Sequence, residues 1–157
     1  MKKFLLILSL TIFIVIVVLC FGGKDKSEFI RININANSNL QKDTEVRKII
    51  KDEIVEFLNS YIEGDYDIEK VKNIINEKVK IIECIINGLL IQNKLDYKSS
   101  VSFVSQYFNE SVVNKTKLES GFYDCLKITL GRGEGDNLSC VLFPSKMVSV
   151  GSRFIKI

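Results

Sequence analysis

Apolar and polar positions follow three different rhythms along this chain. From Phe4 to Phe21 the residues are almost wholly Ile, Leu, Val and Phe, preceded by Met1, Lys2 and Lys3. As a helix such a run rises about 27 Å, close to the hydrocarbon thickness of a bilayer. A basic start before an apolar core is an export signal, with the lysines left on the cytoplasmic side. Only Gly22 and Gly23 offer the small residues that a leader peptidase wants, and the core is long for a cleaved signal. A retained anchor and a cleaved leader therefore both stay open. Cys20 hints at lipidation, but Leu19 stands where a lipoprotein signal has a small residue. The expected division is residues 1–23 as signal peptide or membrane anchor and 24–157 as one extracytoplasmic domain.

The second rhythm is alternation. In "FIRININA", Ile30, Ile32, Ile34 and Ala36 share one side, while Arg31, Asn33 and Asn35 share the other. A period of two predicts a half-buried strand. "NSN" at 37–39 stops it, and any of the three can cap a following helix. That helix announces itself by the third rhythm. Val46, Ile49, Ile50, Ile54, Phe57, Leu58 and Tyr61 recur at spacings of three and four, opposite a charged face. Gly64 marks its end. Asp67 opens a second helix, striped by Ile68, Val71, Ile74, Ile75, Ile81, Ile82, Ile85, Ile86 and Leu89, with Gly88 loosening its end.

From about Asp96 onward the chain reads as strands. Tyr97, Val101 and Phe103 alternate, as do Leu126, Ile128 and Leu130 against Cys125, Lys127 and Thr129. "SCVLF" is a short apolar run suited to a strand buried on both faces. The order β-α-α-β-β-β predicts an α+β domain, a helical hairpin packed on a mainly antiparallel sheet.

Between the last two runs lies "GRGEGDN", with Gly131, Gly133 and Gly135 at alternate positions. A phosphate loop leaves a strand and enters a helix whose free N–H groups face the anion. Here the chain passes from strand to strand, and no Lys-Ser or Lys-Thr follows the last glycine. The stretch reads as a hairpin connection. If it turns about Arg132 and Gly133, Cys125 and Cys140 fall opposite one another. A disulfide is then open to them, and buried free thiols are the alternative.

Composition narrows the chemistry. Histidine is absent from the 157 residues, which removes Ser-His-Asp and Cys-His nucleophiles and disfavours catalytic zinc. Cys84, Cys125 and Cys140 show no Cys-x-x-Cys spacing. The Asp and Glu side chains sit on the polar faces of the helices, where solvation is the ordinary role. Without Lys2 and Lys3 the body carries 20 basic against 19 acidic residues, so nothing asks for a nucleic acid. No enzyme and no cofactor are expected. An exported body of this kind acts by offering a surface, as a signalling protein or as a generic envelope binding protein.

Two segments resemble the stage II sporulation protein R family. One is "RININANSN", residues 31–39, with the helix bearing Val46 and Arg47. The other is "GFYDCLKITLGRGEGDNLSCVLFP", residues 121–144. It holds the family's Gly-x-Tyr-Asp strand (Gly121, Tyr123, Asp124), the Gly-x-Gly-x-Gly turn, and the Cys-Val-Leu-Phe-Pro strand with Cys140, Phe143 and Pro144. Leu138 and Ser139 stand where the family has tryptophans, Asn39 where it has Asp, and Met147 where it commonly has cysteine. The charges of Arg132 and Glu134 are exchanged relative to the family's usual order.

The resemblance implies a signal made in the forespore and exported into the space between the two membranes. There it activates a membrane-embedded aspartic protease of the mother cell, which processes pro-sigma-E. The candidate contact residues are Arg31, Asn37, Ser38 and Arg47 near the first strand. On the expected hairpin tip they are Arg132, Glu134, Asp136 and Asn137. Phe143 and Cys140 are expected to pack.

Overall fold

A computed structural model describes residues 29–62, 67–113 and 116–143. The expectations placed on residues 1–28, Gly64, Pro144 and Met147 lie outside them. Strand β1 (Ile30–Asn35) leads into helix α1 (Gln41–Asn59) and helix α2 (Ile68–Gln92). Then follow β2 (Ser99–Phe108), β3 (Ser111–Val113), β4 (Thr116–Leu118), β5 (Gly121–Leu130) and β6 (Asn137–Phe143). The α+β class and the two packed helices hold. No helix among the described residues is long and apolar enough to cross a membrane.

Both helices form where the apolar stripe demands. Val46, Ile50, Ile54 and Leu58 of α1, with Val71, Ile75, Ile82, Ile86 and Leu90 of α2, are buried against Ile32, Ile34, Leu126, Ile128 and Leu130 of the sheet. Each such side chain contributes on the order of 2 kcal/mol. Neither helix has a side-chain hydrogen bond at its N-cap, so burial and not capping holds them. The cap of α1 is Leu40, one residue past the expected "NSN", because Asn37, Ser38 and Asn39 are engaged elsewhere. Asp67 does open α2. The helix runs through Gly88 to Gln92, and a Cβ at Gly88 meets nothing within 4 Å. Gly88→Ala should therefore stabilise the domain by about 0.5–1 kcal/mol through reduced chain entropy. A thermal denaturation midpoint that fails to rise would contradict this.

The sheet departs from the expectation in one decisive respect. Its order is β2-β5-β1-β6, so β1 is inserted between β5 and β6. It runs parallel to β5 and antiparallel to β6, while β2 and β5 are antiparallel. The sheet is mixed, and the last two strands are no hairpin. Cys125 faces Arg31 across β1, and Cys140 faces Ile32 on the other side. Arg31 and Ile32 are consecutive, so the two thiols sit on opposite faces of the sheet. Cys84, Cys125 and Cys140 are all free. The short hairpin β3–β4 forms a separate two-stranded sheet that the sequence pattern does not announce.

Alternation sends Arg31, Asn33, Tyr123 and Cys125 to the face away from the helices. This face is not simply solvated. Phe108, Tyr123 and Cys125 form a second apolar cluster with Phe29 against it. The turn after β4 is tied to the cluster, because Tyr123 donates its hydroxyl to the Glu119 carbonyl at 2.6 Å; Leu118, the last residue of β4, is buried.

Candidate functional site

The two segments that carry the family resemblance meet in space. To pass from β5 to β6 the chain must cross the end of β1, and residues 131–136 do so by lying on residues 36–39. Gly135 donates its N–H to the Ala36 carbonyl at 2.9 Å, and Glu134 to the Asn37 carbonyl at 3.3 Å. Ala36 returns a bond to the Asp136 carbonyl at 3.3 Å. The Asn37 side chain accepts from the Arg132 N–H at 3.0 Å, and the Asn39 side chain from the Asp136 N–H at 2.6 Å. Two peptide segments some 95 residues apart in sequence thus form one lobe.

This contact explains the glycines. At Gly135 a Cβ would stand 2.4 Å from the Ser38 carbonyl oxygen and 2.9 Å from the Ala36 Cβ. At Gly131, where φ is +54°, it would meet the Asn37 amide oxygen at 2.2 Å. The spacing serves close backbone approach and left-handed turns.

Beneath the lobe sits Asp43, which the sequence reading passed over. Its buried carboxylate accepts from Ser38 Oγ at 2.6 Å, from the Tyr97 hydroxyl at 2.6 Å and from the Asn37 amide at 3.1 Å. Burial pushes this carboxyl up, yet the three hydrogen bonds outweigh it and hold the group below the ordinary carboxylate range. Its place in the first turn of α1 adds the favourable end of the helix dipole. Partial burial, with the hydrogen bond to Asp43, pushes the Tyr97 hydroxyl up. An acidic residue in the first helical turn, just after Ser38, was the available signal. Arg47 completes the support by donating to the Asp136 carbonyl.

The expected contact residues therefore separate into three groups. Arg132 and Glu134 are exposed and pair at 3.3 Å, with Asp136 and Asn137 also exposed beside them. Asn37 and Ser38 are half-buried and bound within the lobe. Arg47 and Arg31 are buried, contrary to the expectation of surface positions, at 8% and 3% exposure.

Arg31 is not at the lobe. Its guanidinium lies 4.1 Å from the Phe108 ring centroid and donates to Ser111 Oγ and Ser139 Oγ at 3.3 and 3.2 Å. It thereby ties β1 to β3 and β6, and its desolvation lowers the guanidinium pKa.

The remaining motif residues lie on strands β5 and β6. Asp124 pairs with Lys72 at 2.7 Å, linking β5 to α2. Tyr123 fixes the Glu119 carbonyl. Gly121 has only ordinary contact where its Cβ would stand, 3.9 Å from the Tyr123 ring. Phe143 ends β6 opposite Ile30. Cys140 packs against the main core. Burial pushes the Cys125 thiol up to about 12 and that of Cys140 up to about 11, so both stay protonated and unreactive at neutral pH.

The model of the family described as stage II sporulation protein R matches residues 26–150 of this chain. The stage II sporulation protein R of Bacillus subtilis (strain 168) is 29% identical over 115 residues, covering 73% of this chain and 51% of that protein. The chain thus spans about half the length of the curated relative it matches. No solved structure matches it.

Proposed function

The chain belongs to the stage II sporulation protein R family, and from that premise we propose that it is an intercompartmental signal of sporulation. It leaves the forespore and meets a membrane-embedded aspartic protease of the mother cell in the space between the membranes. The lobe binds the protease's extracytoplasmic face more tightly in its active arrangement, and that difference in affinity shifts the population towards cleavage of pro-sigma-E. A ligand that bound both arrangements equally would shift nothing.

One observation carries this reading. The two sequence segments that resemble the family converge on a single hydrogen-bonded lobe, and their exposed side chains, Arg132, Glu134 and Asp136, crown it. Polar groups on a loop held by a stiff scaffold are where recognition concentrates.

Expression of this chain with the protease and pro-sigma-E in a non-sporulating host tests the proposal. The shortened sigma factor should accumulate only when all three are present. Replacing Arg132 and Glu134 together by alanine should lower cleavage and leave the denaturation midpoint in place. Their ion pair is solvent-exposed and contributes little to stability. Undiminished cleavage by that double variant would remove the tip from the interface.

A further inference from the structure

The lobe occupies the end of the sheet where β1 finishes; the opposite end carries a different surface. There Tyr107 and Phe122 face each other across β2 and β5. Their rings lie 5.5 Å apart at 73°, yet the residues are 52% and 67% exposed. Val112, on the hairpin that follows β2, is 70% exposed. Large apolar side chains gathered at one end of a small domain are costly in water and mark a contact surface.

The chain enters the fold at this same end. Ile30 pairs with Asp124, two residues from Phe122. Eight residues separate Ile30 from Phe21, the last of the apolar run, and fully extended they span about 28 Å. We propose that this end of the domain rests on the lipid surface that the run 4–21 enters. Tyr107, Phe122 and Val112 then sit at the boundary between headgroups and acyl chains. The proposal relies on residues 1–23 acting as an anchor.

Tyr107 suits that boundary because it joins an apolar ring to a polar hydroxyl, and Phe122 adds apolar area beside it. Three side chains alone partition weakly, but a short tether makes the second contact intramolecular and raises its effective concentration. Four of the neighbouring charges are already paired with one another. Lys117 pairs with Glu110 at 2.9 Å and Lys72 with Asp124 at 2.7 Å. The orientation that results holds the lobe about 30 Å away, roughly the length of a ten-residue strand such as β5. Arg132 and Glu134 then point towards the facing membrane.

The chain contains no tryptophan, so a single introduced indole reports its own depth. The full chain would be reconstituted into phosphatidylcholine–phosphatidylglycerol vesicles containing lipids brominated near the headgroup end of the acyl chain. Two variants are compared: Phe122→Trp, and Ile91→Trp in the last turn of α2, a position 74% exposed at the lobe end. The indole at 122 should lose most of its emission, and the one at 91 should keep nearly all of it. Co-sedimentation with vesicles but equal quenching at both positions, or none at 122, overturns the orientation. Failure to co-sediment overturns the anchor and the proposal with it. Neither result touches the signal reading, which the cleavage assay decides separately.

Discussion

Gly135→Ala should destabilise the domain by about 2–3 kcal/mol and abolish pro-sigma-E cleavage in the co-expression assay. The added methyl would meet the Ser38 carbonyl and the Ala36 side chain, both in or against backbone that cannot rotate away. Relief requires residues 131–136 to lift off residues 36–39. That motion breaks the bonds from Gly135 to Ala36 and from Glu134 to Asn37 together. The contrast with Gly88 makes the prediction specific, because the same substitution in open space on α2 should stabilise. Denaturant unfolding of the two variants side by side measures both signs. A neutral Gly135→Ala would mean that the lobe is not closed as described.

Asp43→Ala should cost about 3 kcal/mol, since it removes the acceptor that Ser38, Tyr97 and Asn37 share. Wild-type stability should also carry a pH signature. The folded carboxyl lies below its ordinary value of 3.8. Its contribution is therefore complete above the unfolded carboxylate range and fades as pH falls through the lowered folded value. The midpoint difference between wild type and Asp43→Ala should be flat at neutral pH and shrink in acid. A difference that grew on acidification would mean the carboxyl is raised, and would remove Asp43 from its role as the anion beneath the lobe.

Much of this architecture is legible in the sequence because periodicity reports burial. Ile50, Ile54 and Leu58 betray α1, and Ile30, Ile32 and Ile34 betray β1, since each pattern has only one geometry that puts its apolar members together. Strand order is another matter. Adjacent strands joined by a glycine turn form hairpins by default. Nothing local in "GRGEGDN" says that β1 intervenes between β5 and β6. The reason for Gly135 lies at Ser38, and the reason for Asp43 lies in Asn37 and Tyr97, so neither is visible in its own neighbourhood. Strands β3 and β4 have three residues each, too few for a period to emerge. Arg31 reads as exposed because it alternates with isoleucines, but the hairpin folds Ser111 over it. Arg132 and Glu134 were foreseeable as a loop tip for the ordinary reason that nothing apolar flanks them.

The central position of β1 has a bearing on how the molecule comes into being. Its two neighbours, β5 and β6, lie some ninety residues downstream, so the first strand waits unpaired until they have been made. Contacts so remote along the polymer are slow to form and close the sheet late. A polypeptide threaded amino end first through a translocation channel would thus remain pliable throughout its passage. It would acquire its native shape only once β6 had emerged on the far side.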